Sequence, residues 1–275
     1  MSDLSILKTL SSTLPVQEQL MPVLFIGHGS PMNGIEDNEF TKAWVEQAST
    51  IPLPKAVVVV SAHWFTRGTF VTAMDFPATI HDFGGFPQPL FDVEYPAPGN
   101  PQLATEMTNL VDHSTIQLDH DWGLDHGAWT VVRHMYPMAN IPVLQLSLDY
   151  TKTPTEHYEL ARELSALRKK GVLIMGSGNM VHNLRMMNWE MIKGGGYDWA
   201  LEINDQFKTL ILNHEHQQLI DYKNLGKAAL NAIPTPEHYL PLLYTLGLQN
   251  ETEKVTLFND KAVGGSLTMT SVRIS

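Results

Sequence analysis

Four histidines in this chain stand at or just past short strand-like runs, a placement that suits metal ligation. His28 follows the apolar run 22–26 in Gly27-His28-Gly29-Ser30-Pro31, and His63 follows residues 56–60 in Ser61-Ala62-His63-Trp64. His182 comes after residues 172–175, in Gly176-Ser177-Gly178-Asn179-Met180-Val181-His182-Asn183. His238 lies in Pro234-Thr235-Pro236-Glu237-His238, ahead of another apolar stretch. In open α/β sheets ligands bind beyond the carboxyl ends of the strands. Several neutral imidazoles delivered to that edge would make a centre for one divalent metal ion. Each histidine alone also fits a hydrogen-bonded structural role, so the set carries the reading. Glu237, beside His238, is an equally suitable donor from spacing alone. His113, His120, His134, His157, His214 and His216 lack the strand-edge context.

The elements that must position these side chains alternate. Apolar runs at 23–26, 56–60, 141–148 and 172–175 suit buried strands. Helical spacing covers residues 39–48, 102–111, 129–136, 155–167 and 199–212, and Thr153-Pro154-Thr155-Glu156 offers a helix start. The alternation predicts one α/β domain over residues 21–275, a three-layer α/β/α sandwich with a mostly parallel sheet and the metal site at the strand carboxyl ends. Residues 1–20 read as a weakly ordered extension. The tail 266–274 alternates and predicts a final strand, antiparallel to the rest. Two irregular stretches stand out. Residues 80–101 mix Gly, Pro and aromatics, and residues 119–127 carry Trp122, Asp125 and His126. Loops this long in a compact domain usually form lids or substrate walls.

Composition narrows the function. The chain has 275 residues, 43% of them hydrophobic, and a net charge of −11, which disfavours nucleic acid. No stretch approaches the roughly 20 apolar residues of a membrane span. With no Cys there is no thiolate nucleophile and no Cys-based metal cluster, and the cytoplasm is the expected compartment. Gly27-His28-Gly29-Ser30 is not the Gly-x-Ser-x-Gly of a nucleophile elbow. Gly176-Ser177-Gly178 lacks the third Gly of a dinucleotide fingerprint, and Gly194-Gly195-Gly196 lacks the Lys-Ser/Thr of a phosphate loop. No feature fixes an oligomeric state.

The ordered motifs Gly27-His28-Gly29-Ser30-Pro31, Ser61-Ala62-His63-Trp64, Asp125-His126-Gly127, His182-Asn183-Leu184-Arg185 and Thr235-Pro236-Glu237-His238 resemble those of the class III extradiol ring-cleavage dioxygenases, most of all the 4,5-DOPA extradiol dioxygenase branch with its bacterial members. The likeness runs from about residue 22 to the C-terminus. It implies a single α/β/α domain with one non-haem Fe(II), or Zn(II) in the isolated protein, that cleaves a catechol such as L-DOPA with O₂ to a seco-DOPA product. It also implies metal ligands His28, His63 and His238, with His182 either a fourth ligand or a catalytic base, and His126 a second catalytic histidine. With Zn(II), His182 would close a tetrahedral shell at about 2.0–2.1 Å. Three protein ligands leave positions for both catechol oxygens and O₂. Ser30, Trp64, Phe86, Arg185 and Tyr239 are the expected substrate contacts. Two other chemistries suit the same side chains: a zinc hydrolase with a base such as Glu237, and a tetrapyrrole metal chelatase or metal-binding protein. Oxygen uptake with a catechol separates the first reading from both.

Overall fold

In the computed structural model, which describes residues 20–275, the chain folds as an α/β protein. The strands are β1 (Val23–Gly27), β2 (Ala56–Thr66), β3 (Thr69–Thr72), β4 (Ile116–Asp119), β5 (Val143–Asp149), β6 (Val172–Gly178), β7 (Val255–Phe258), β8 (Ala262–Val263), β9 (Leu267–Thr268) and β10 (Ser271–Ile274). The helices are α1 (Glu39–Thr50), α2 (Gln88–Phe91), α3 (Pro101–Leu110), α4 (His126–Met135), α5 (Pro154–Glu163), α6 (Asp198–Leu212), α7 (His216–Ile220), α8 (Lys227–Ala232) and α9 (Leu240–Gly247). Eight strands form one sheet in the order β4-β3-β5-β2-β6-β1-β10-β7, and β8 pairs with β9. The central run β5-β2-β6-β1 is parallel throughout, whereas β10 is antiparallel to both β1 and β7. No helix among the described residues is long and apolar enough to cross a membrane.

Alternation on β2 shows why the sheet is covered on both faces. Val58 and Val60 enter a core with Leu160, Phe207 and Leu243, while Val57 and Val59 enter another with Trp44 and Trp129. Both sets are fully buried. A strand buried on both sides reads as a continuous apolar run, which is what the sequence presents. Helices α5, α6 and α9 supply the first layer, and α1 and α4 the second. The helix start at Thr153 forms a capping box with Glu156.

Several boundaries depart from expectation. Strand β2 continues to Thr66, so His63 sits inside a strand rather than beyond one; its pairing with β5 shifts between Val60 and Phe65. The polar Ser61 ends the apolar run but stays buried by hydrogen bonding. Helix α4 starts at His126, ahead of the expected 129, because Asp125 caps it by accepting from the Ala128 N–H at 3.1 Å. The expected 155–167 helix ends at Glu163 and tightens into a 3₁₀ turn over Leu164–Lys170. The tail splits into β9 and β10 at Met269-Thr270, where the Met269 backbone packs against Gly27; a Cβ at Gly27 would come within 2.5 Å of the Met269 carbonyl oxygen. The expected extension lies, but for Leu20, outside the described residues.

Candidate metal centre

Parallel strands β1, β6 and β2 deliver the first two histidines. His28 follows β1, and its N–H donates to the Gly178 carbonyl at the end of β6 (3.1 Å). His63 is carried by β2 on the other side of β6. The segment bearing His238 is laid over the same end of β6, with the His238 carbonyl accepting from the Asn179 N–H at 2.9 Å. Only glycine allows this contact, since a Cβ on Gly178 would stand 2.1 Å from that oxygen. One ligand atom from each of His28, His63 and His238 lies within 4.8 Å of the other two.

Hydrogen bonds around the cluster fix the tautomers. Ser177 Oγ donates its one hydrogen to the Gly127 carbonyl (2.5 Å), so it can only accept from His28 Nδ1 (3.0 Å). His28 therefore keeps its proton on Nδ1 and presents a bare Nε2. Asp82 Oδ2 lies 3.4 Å from His63 Nδ1. Burial pushes the Asp82 carboxyl up, but hydrogen bonds and charge from His126 outweigh it and hold the group below its ordinary value. An ionised carboxylate only accepts, which favours the His63 tautomer with its proton on Nδ1. The two bare Nε2 atoms then face each other at 3.1 Å. Opposed lone pairs at that distance repel, unless a cation lies between them. Two imidazoles on one tetrahedral ion, with bonds of about 2.0–2.1 Å, hold their nitrogens about 3.3 Å apart. The donor set thus fits a divalent metal.

Charge points the same way. Burial, followed by the neighbouring histidines, drives His28 and His238 well below the ordinary imidazole range. Burial and then His126 bring His63 to about 3. All three are neutral near pH 7, the form that binds metals. His238 Nδ1 faces Glu237 Oε1 at 3.3 Å, and the same oxygen accepts from Thr235 Oγ1 at 2.7 Å.

His182 stands beside the trio, and one ligand atom from each of His182, Glu237 and His238 also lies within 4.8 Å of the other two. Its ring stacks on His238 with centroids 3.5 Å apart and planes 6° from parallel. Imidazole coordinates in its own plane, and two parallel planes at that spacing cannot both point lone pairs at one centre. The turn that carries His182 is pinned, because the His182 N–H donates to the Ala232 carbonyl (2.8 Å) and the residue bridges to Leu267. Movement of His182 is therefore side-chain rotation. Burial lowers its pKa to about 4.

His126 opens α4 with its ring 3.9 Å from that of His63. Its Nδ1 donates to Asp82 Oδ2 (3.0 Å) and its backbone N–H to Asp82 Oδ1 (2.9 Å), which leaves Nε2 free to take a proton. Beneath it the buried Asp125 accepts from Ser61 Oγ (2.7 Å) and from the Gln145 amide. Burial and the nearby Asp82 raise Asp125 to about 6.

The expected substrate contacts divide. Phe86 packs edge-on against Phe83 (5.5 Å), which lies edge-on to His126 (5.6 Å), so the aromatic loop does approach the histidines. Arg185 is exposed in the 3₁₀ turn Leu184–Met186, three residues past His182. Ser30 caps the 3₁₀ turn Pro31–Gly34 through the Met32 N–H. Trp64 is buried and stacks on Trp122 (5.5 Å, 2°). Tyr239 is buried against Phe207 and Tyr222, and its hydroxyl donates to the Leu219 carbonyl (2.9 Å). Sequence reasoning gave no role to Asp82, Ser177 or Ser61. The contacts Asp82–His126, Ser177–His28 and Ser61–Asp125 join residues 44, 149 and 64 positions apart, and no local spacing signals them.

Comparison with known proteins adds to this geometry. Residues 22–269 match the family model described as the catalytic LigB subunit of aromatic ring-opening dioxygenase. The chain is 49% identical over 258 residues to a protein of Escherichia coli (strain K12) named 4,5-DOPA dioxygenase extradiol, covering 92% of this chain and 94% of that one. It is 34% identical over 266 residues to a Beta vulgaris protein of the same name, covering 94% and 98%. A solved structure of an uncharacterised Escherichia coli K12 protein superposes with a TM-score of 0.81 at 43% identity, covering 93% of this chain and 100% of that one.

Proposed function

The chain belongs to the LigB family of aromatic ring-opening dioxygenases and is an extradiol dioxygenase, and from that premise we propose that it opens the ring of a catechol, L-DOPA or a close relative, by 4,5-cleavage with O₂. The observation that carries this reading is the trio His28, His63 and His238, whose ligand atoms lie within 4.8 Å of one another and which burial keeps neutral. These three residues would hold a single divalent ion. Fe(II), when bound, would supply the electron path between catecholate and O₂ and open positions for both, whereas Zn(II), the alternative occupant of the isolated protein, has no redox chemistry.

The chain's own groups handle protons and shape. His182, stacked beside His238 and neutral, is placed to accept a substrate hydroxyl proton. His126, with Nε2 free, provides a second carrier that returns a proton after ring opening. Phe83 and Phe86 supply an aromatic wall beside His126 for a flat substrate. Arg185, exposed three residues past His182, would suit a substrate carboxylate. Glu237 is engaged by Thr235 and faces the back nitrogen of His238, which disfavours it as the water-activating base of a hydrolase.

The test is oxygen uptake by anaerobically Fe(II)-loaded protein across a catechol panel that includes L-DOPA. Uptake in step with ring opening is expected, with both atoms of ¹⁸O₂ found in the product. Absence of uptake with every catechol would sink the proposal.

A further inference from the structure

Asp82 stands on the irregular stretch after β3, between His63 on β2 and His126 at the start of α4. One oxygen, Oδ2, faces two imidazole nitrogens, His126 Nδ1 at 3.0 Å and His63 Nδ1 at 3.4 Å. The other, Oδ1, accepts the backbone N–H of His126 at 2.9 Å. Its loop is tied down from beneath: Thr79 bridges Leu124, the Ile80 N–H donates to the Leu124 carbonyl (2.7 Å), and Trp129 Nε1 donates to the Ile80 carbonyl (2.9 Å). The next residue, Phe83, lies edge-on to His126. Phe83 also packs on Phe91 (5.1 Å) and Trp129 (6.3 Å), and past it Gly84 and Gly85 have open space where a Cβ would be.

We propose that Asp82 is a positioning residue that works through two histidines at once, fixing both His63 and His126 as Nδ1–H tautomers and seating the Phe83 wall by the same contact. A carboxylate is required because both its oxygens must accept. An asparagine offers one acceptor and one donor, so an N–H must face either the His126 backbone N–H or the pair of ring nitrogens. In the second case the rings must turn their bare nitrogen toward the new amide and carry the proton on Nε2, where His63 can no longer bind a metal and His126 can no longer take a proton. The second consequence rests on His126 acting as a proton carrier; the first does not.

The experiment compares wild type, Asp82→Asn and Asp82→Glu, all as the full chain. Histidine ¹⁵N chemical shifts and two-bond couplings in metal-free protein report the tautomers directly. Wild type should show His63 and His126 protonated at Nδ1, with both signatures altered in Asp82→Asn and largely kept in Asp82→Glu. In zinc-loaded protein, metal loss to a chelator should quicken about 10–100-fold in Asp82→Asn, the usual worth of a residue that orients a ligating histidine, and less in Asp82→Glu. Wild-type rings protonated at Nε2, or an Asp82→Asn protein with unchanged tautomers and unchanged metal loss, would overturn the proposal. So would two ions per chain by elemental analysis with one lost on Asp82→Asn, since Asp82 would then be a ligand. The tautomer readout is made without metal or substrate, so it decides the role of Asp82 whatever the catechol panel gives.

Discussion

At the scale of single residues, five imidazoles share one pocket yet hold different partners, and the partner assigns the task. His28 Nδ1 bonds to Ser177 and His63 Nδ1 lies 3.4 Å from Asp82, an arrangement that favours Nε2 of each for a metal. Alanine at either should abolish retention of one ion per chain, read by elemental analysis after dialysis; full retention in both variants would remove the ligand assignment. His126→Ala should keep the ion and lose rate, because its free nitrogen serves a proton. His182 is the sharper case. A parallel stack on His238 bars it from sharing that histidine's ion without rotating, so His182→Gln should retain most of the metal affinity while turnover falls about 10²–10⁴-fold, the usual worth of a positioned acid or base. Loss of the ion with unchanged rate in reloaded protein would make His182 a ligand instead.

Elements decide whether these side chains meet, and here the sequence was legible in part. His28 and His63 could be placed because doubly buried strands leave a continuous apolar signal and β1 and β2 are both central in the sheet. The true end of β2 was hidden, since Ser61 is buried by a hydrogen bond to Asp125 rather than by being apolar. Helix α9 is buried on every side and so shows no amphipathic period. Asp82 gave no signal at all: a lone carboxylate in an irregular loop acquires its role only when Thr79 and Leu124 bring two loops together. The carrier of His238 was legible only as a turn, although its position depends on Gly178 being bare. Gly178→Ala would force its Cβ to within 2.1 Å of the His238 carbonyl oxygen. Strain of this kind costs about 1–3 kcal/mol. A lowered Tm together with faster metal loss to a chelator is expected. A lowered Tm with unchanged metal loss would mean that the segment shifts without carrying the His238 ring.

Across the whole molecule, burying so many imidazoles makes stability depend on pH with a predictable sign. Burial, the largest cause in each case, holds His182 and His157 at about 4 and His63 at about 3, and sets His28 and His238 well below the ordinary value. The unfolded chain protonates them near 6.5. Between about 6.5 and about 4 the unfolded state therefore binds more protons, and stability falls as pH falls. Asp125 acts in the opposite sense: raised to about 6, it keeps a proton that the unfolded chain loses above about 4. One carboxyl set against five histidines does not reverse the slope. Metal-free protein should thus lose Tm steadily from pH 7 to pH 5. A saturating divalent ion should raise Tm most at pH 7 and progressively less toward pH 5, because protons compete for the same nitrogens. His157 separates the two effects. It lies in the core, between the Tyr244 hydroxyl and the Asp149 carbonyl, and belongs to no metal cluster among the described residues. Its share of the acid loss should persist in His63→Ala, which forfeits the metal-dependent gain. Thermal melts of both proteins, with and without Zn(II), from pH 7 to pH 5 provide the check. A flat Tm in the metal-free wild type would show that these histidines are solvated rather than held neutral, and would remove the electrostatic case for a preformed metal centre.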